Sequence, residues 1–187
     1  MSGHPLTHLT AVAAVPPEAV WGPIQNIRRQ YDRQFRRWMP HVNLLYPFRP
    51  RPDFPPAVEG LGAACRGVGP FEVTLAEFRF FRHGSGRCTL WLAPEPAEEV
   101  GRLQAALQGA FPDCDDLGRF PAGYTPHLSV GQFPTAADCR RVQAELQAAW
   151  RPVVFTLAEV ALLAREAESP FAIERRIPLG SDAPAAE

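Results

Sequence analysis

"PHVNLLYPF", Pro40–Phe48, and "PHLSVGQF", Pro126–Phe133, repeat one order of residues: Pro, His, apolar, small polar, apolar. Each stretch is apolar, short and opened by a proline, as expected of a strand. Alternate side chains of a strand share a face. His41 and Asn43 therefore lie together, opposed to Val42, Leu44 and Tyr46. His127 and Ser129 likewise lie together, opposed to Leu128 and Val130. The apolar residues hold each strand on a core, and the polar pair is shown to a cleft. Two lobes packed about a pseudo-twofold axis would bring two imidazoles and two short hydrogen-bond donors together.

The surrounding pattern supplies such lobes. An apolar run, His8–Val15, ends at Pro16-Pro17 as a buried strand would. From Glu18 to about Arg37, Val20, Ile24, Ile27, Tyr31 and Phe35 recur at helical spacing, with Arg28, Arg29, Arg33, Arg36 and Arg37 on a solvated opposite face. The motif strand, residues 41–48, follows, then a helix over Ala57–Arg66. Strands Phe71–Phe81 and Arg87–Ala93 form a hairpin through "RHGSGR". The second half repeats the order: a helix over Pro96–Ala110, the loop "PDCDDLGRFPAGYTP", and the motif strand 127–133. Thr135 then caps a helix over Ala136–Trp150, and strands Val153–Leu163 and Phe171–Leu179 close the chain. The expected architecture is α+β: antiparallel sheets in two lobes, helices on the outer faces, a central cleft. Residues 1–179 form one bilobal domain, and 180–187 a disordered tail.

Composition narrows the function classes. The 46% hydrophobic content of the 187 residues supports a substantial core, and a net charge of −1 announces no general nucleic-acid binder. All 19 basic residues are Arg, which excludes Schiff-base, Walker-type and lysyl-adenylate chemistry. Cys65, Cys88, Cys114 and Cys139 lie far apart with no C-x-x-C, so they read as free, packed thiols of a reducing compartment rather than a zinc site. No basic leader precedes an apolar segment, and "LTAVAAV" is too short to span a membrane. A cytoplasmic monomer without membrane contact is the expectation.

The paired motifs suit phosphodiester chemistry. With pKa values near neutrality, one imidazole can take a proton from water or a hydroxyl while the other protonates the leaving oxygen. Asn43 and Ser129 can donate to the non-bridging oxygens, whose charge rises in the transition state. This division of labour requires no metal and no cofactor. His4, His8 and His83 follow no proline and belong to no matching pair of strands, and they read as incidental.

On these residues the chain resembles the 2H phosphoesterases, which include the RNA 2′,3′-cyclic phosphodiesterases once called 2′-5′ RNA ligases. Their mark is His-x-Thr/Ser-x, with x apolar, present twice at roughly this separation. "HLSV", His127–Val130, fits; "HVNL", His41–Leu44, places Asn43 where a hydroxyl is usual. The order of elements agrees from about His8 to Leu179. The resemblance implies His41 as general base and His127 as general acid, exchanging roles in reverse, with Ser129 on a phosphate oxygen. The substrate it implies is a nucleotide or RNA end carrying a 2′,3′-cyclic phosphate or 2′-5′ linkage.

Asn43 also motivates an alternative, a nucleotide- or RNA-binding module of the same fold with little or no catalysis. Tyr124 and Phe133, near the ends of the second motif strand, are candidates for stacking on a base. Aromatic core packing is the competing reading of both. A third reading makes Cys114 a nucleophile, although nothing orients it toward His127.

Overall fold

The apolar runs and helical stripes form the expected mixed architecture. The computed structural model describes residues 5–119 and 122–180, so the tail 181–187 and His4 lie outside the described residues. In chain order the elements are β1 (Thr10–Ala14), α1 (Trp21–Tyr31), β2 (Val42–Leu45), α2 (Phe54–Arg66), β3 (Phe71–Arg82) and β4 (Cys88–Glu95). They continue with α3 (Ala97–Ala110), β5 (Leu128–Phe133), α4 (Ala136–Ala149), β6 (Val153–Leu157), β7 (Glu159–Ala164) and β8 (Ala172–Pro178). Two antiparallel four-stranded sheets result, ordered β2-β1-β7-β8 and β5-β4-β3-β6.

Each motif strand is the edge of its own sheet, but the sheets are not the two halves of the sequence. The first half's hairpin, β3–β4, completes the second motif's sheet, and the closing hairpin, β7–β8, completes the first motif's sheet. The stretch expected as one strand, Val153–Leu163, makes this exchange possible by breaking at Ala158. β6 is amphipathic and pairs with β3, whereas β7 is almost wholly buried and pairs with β1 and β8. One core runs between the sheets, uniting Val12, Leu44 and Leu45 with Leu90, Leu92, Leu128 and Val130. Among the described residues, no helix is long and apolar enough to cross a membrane.

Local chemistry sets the helix ends. Phe54 opens α2 earlier than its apolar stripe suggests, because Pro55 and Pro56 fall in the first turn, where missing N–H groups cost nothing. Thr135 caps α4 as expected, accepting the Asp138 N–H at 3.1 Å. The first helix, expected to reach Arg37, stops at Tyr31. Asp32 leaves the helical region, at φ −99° and ψ 109°, and its Oδ1 accepts the Gln34 N–H at 2.8 Å. That side-chain turn competes with further helix.

Arg28 is also not part of a solvated face. It is 1% exposed, and its Nε donates to Asp32 Oδ2 at 2.7 Å. Its Nη2 donates to the Trp38 carbonyl at 2.9 Å, and Nη1 to Gln25 Oε1 at 2.9 Å. One buried guanidinium thus fastens the helix to the segment entering the first motif strand.

Candidate active site

Both motif strands present their polar pairs by alternation and then break it in the same way. Beside β1, register shifts between Val12 and Ala13, so Asn43 faces Ala13 while Leu45 faces Val12. Beside β4, Ser129 faces Trp91 while Gly131 faces Leu90. A bulge therefore follows each motif at the fourth residue after its histidine. It returns Leu45 to the core and swings Tyr46 onto the face of Asn43. This overturns the expectation, from strict alternation, that Tyr46 faces the core. In β5 the same bulge brings Gln132 beside Ser129 on the wall of a cavity.

The two imidazoles are held alike. His41 Nδ1 lies 2.8 Å from the Met39 carbonyl, and His127 Nδ1 lies 2.8 Å from the Thr125 carbonyl. A carbonyl only accepts, so Nδ1 carries the proton in both neutral rings and Nε2 offers its lone pair. Aromatic rings fix the planes. Trp38 stacks on His41 at 4.3 Å and on Phe171 at 3.6 Å. Phe81 meets His127 edge-on at 5.0 Å, and Trp91 lies 6.0 Å from it.

Burial depresses both basicities. His41 falls to about 4, chiefly by desolvation, with the Met39 carbonyl opposing and the charges of Arg28 and His127 lowering it further. His127 is lowered from 6.5, again by desolvation, with the Thr125 carbonyl opposing. Both rings therefore rest neutral at pH 7, and each is a base through Nε2. An imidazole acting as acid must acquire its proton in company with an anion that offsets burial.

The two motif segments are tied to their surroundings by side-chain hydrogen bonds. The Tyr124 hydroxyl donates to the Asn43 carbonyl at 2.8 Å, and the ring packs against the core while lining the cavity. Gln132 joins β5 to the end of α1. Its Oε1 accepts from the Arg33 N–H at 2.8 Å, and its Nε2 donates to Asp32 Oδ1 at 3.1 Å. Phe133 is not a stacking platform, because it is buried in the core with its ring 5.5 Å from Tyr31. Asn43 is half-buried, and among the described residues its Oδ1 has no hydrogen-bond partner. Cys114 is 2% exposed, and burial pushes its thiol up to about 11, which leaves the nucleophile reading without a thiolate.

Sequence reasoning missed Arg28, Asp32, Trp38, Phe81, Trp91 and Gln132 around the histidines. Only the i,i+4 spacing of Arg28 and Asp32 was available as a signal. The others are brought in by sheet register and by the turn after α1.

The sequence pattern of the 2′-5′ RNA ligase superfamily matches residues 16–168. No curated protein sequence matches the chain. Among solved structures, TT0787 of Thermus thermophilus is similar at 20% identity, covering 93% of this chain and 99% of its own, with a TM-score of 0.62. LigT of E. coli, solved in complex with 3′-AMP, is similar at 15% identity, covering 93% and 99%, with a TM-score of 0.63. A structure described as a phosphoesterase is similar at 15% identity, covering 94% and 100%, with a TM-score of 0.60.

Proposed function

Because the chain belongs to the 2′-5′ RNA ligase superfamily, within the 2H phosphoesterases, we propose that it is a metal-independent phosphodiesterase. Its substrates are RNA ends or nucleotides bearing a 2′,3′-cyclic phosphate or a 2′-5′ linkage. One observation carries the reading. Two histidines, each directly preceding a pseudo-equivalent strand, are anchored through Nδ1 to the carbonyl two residues back, leaving both Nε2 atoms for proton transfer.

In hydrolysis, His41 Nε2 takes a proton from water as the water oxygen bonds to phosphorus. The bond from phosphorus to a ribose oxygen breaks, and His127, protonated at Nε2, gives that oxygen its proton. Ser129 and the Asn43 amide donate to the non-bridging oxygens. The substrate phosphate is the anion that raises His127 toward its protonated form. Nucleotide binding by a structural neighbour, LigT with 3′-AMP, supports this substrate class.

Asn43 in place of a hydroxyl favours a second reading, a nucleotide-binding module that turns over little or nothing. Incubation with a nucleoside 2′,3′-cyclic phosphate and with a 2′-5′ dinucleotide separates the two. Appearance of a phosphomonoester or of cleaved nucleosides supports the enzyme. Binding without product supports the module.

A further inference from the structure

His127 and Ser129 stand at one wall of a cavity of about 560 Å³ whose other walls include Phe81, Leu117, Tyr124 and Thr89. A volume of that order, mostly apolar with a few polar groups, is typical of small-molecule sites. His83 and Thr89 supply polar groups on the β3–β4 hairpin, with His83 Nε2 2.9 Å from Thr89 Oγ1. Gln132 also lines the space, but both ends of its amide are engaged by the turn after α1.

We propose that this cavity is a nucleoside subsite, in which the base lies against Phe81 and its polar edge is read by the His83–Thr89 pair. The proposal rests on the phosphodiesterase reading for the place of the phosphate. A phosphate held at His127 and Ser129 directs its attached nucleoside into the same cavity. Phe81 is fixed for stacking because its ring is backed by Trp91, 4.8 Å away at 26°. Preorganised aromatic faces accept any base.

The His83–Thr89 pair can reverse its hydrogen bond. With Nε2 protonated, the ring donates to Oγ1 and the threonine hydroxyl is free to donate to a base. With Nδ1 protonated, the hydroxyl donates to Nε2, and Oγ1 keeps a lone pair for a base donor. The pair thus offers either polarity, and it selects for the presence of a base more than for one base among four. His83, incidental by sequence alone, becomes a base-binding residue.

Calorimetry with a nucleoside 3′-monophosphate and with inorganic phosphate, at fixed ionic strength, tests this without reference to turnover. The nucleotide should bind at least tenfold tighter than phosphate. Phe81→Ala should weaken nucleotide binding about tenfold or more, and His83→Ala and Thr89→Val about two- to tenfold each. Phosphate affinity should stay unchanged in His83→Ala and Thr89→Val. His83 is exposed and Thr89→Val is isosteric, so these two variants keep the test meaningful if Phe81→Ala folds poorly. Equal affinity for nucleotide and phosphate, or nucleotide binding indifferent to His83→Ala and Thr89→Val, overturns the subsite. Variant-sensitive binding without turnover upholds the subsite and overturns only the catalytic reading.

Discussion

Asp32→Asn isolates the buried pair that braces the first histidine. The Arg28 and Asp32 side chains are 1% and 2% exposed, with Nε and Oδ2 2.7 Å apart. Asparagine keeps the shape but removes the charge, leaving the guanidinium with neutral partners only, the Trp38 carbonyl and Gln25. Breaking such a pair from one side costs about 3–5 kcal/mol, because an uncompensated charge stays buried. For a chain of this size each kcal/mol moves Tm by about 2–4 °C, so a fall of roughly 6–20 °C is expected. Urea unfolding should show a lower midpoint with an unchanged slope. Arg28→Met combined with Asp32→Leu should recover much of the loss, since replacing both charges with apolar groups is often neutral. A loss below about 1 kcal/mol in Asp32→Asn would refute the reasoning.

The pH dependence of kcat/KM should form a bell on the acid side of neutrality. One histidine must be neutral, which for His41 holds above about 4, and the other must be protonated, which holds below a pKa itself under 6.5. The window is the same whichever ring is the base, because the limbs report the pair. An optimum at pH 7 or above would contradict it. Gly131→Ala should destabilise by about 1–3 kcal/mol, as overpacking does. Its new Cβ would sit 2.7 Å from Tyr31 Cβ, where α1 crosses β5. Equilibrium unfolding measures this, and a change within about 0.3 kcal/mol would deny the close approach.

The elements that bear the histidines were legible because a period of two and a leading proline survive in both motifs. The α+β class followed from the alternation of helical stripes with apolar runs. Sheet membership was hidden, since "VVFTLAEVALLA" shows no turn residue at Ala158, where burial switches from one-sided to complete. Tyr46 was misplaced because a bulge at Leu45 adds one residue to the count, and no glycine marks it as Gly131 marks its counterpart in β5. Arg28 was read as solvated because a lone arginine in a basic helix face looks like its neighbours. Its acceptors lie on Asp32, where the helix stops, and on Trp38, beyond that stop. The half-site polarity of His41/Asn43 and His127/Ser129 depended only on local strand geometry, and it survives the exchange of hairpins between sheets.

The most direct measurement of the central claim is single-turnover cleavage of a nucleoside 2′,3′-cyclic phosphate, with a chelator present throughout. The wild-type chain should form a phosphomonoester at a rate indifferent to the chelator. His41→Ala and His127→Ala, each folded by thermal melt, should be slower by about 10²–10⁴-fold. Unchanged rates in both variants would contradict the two-histidine account.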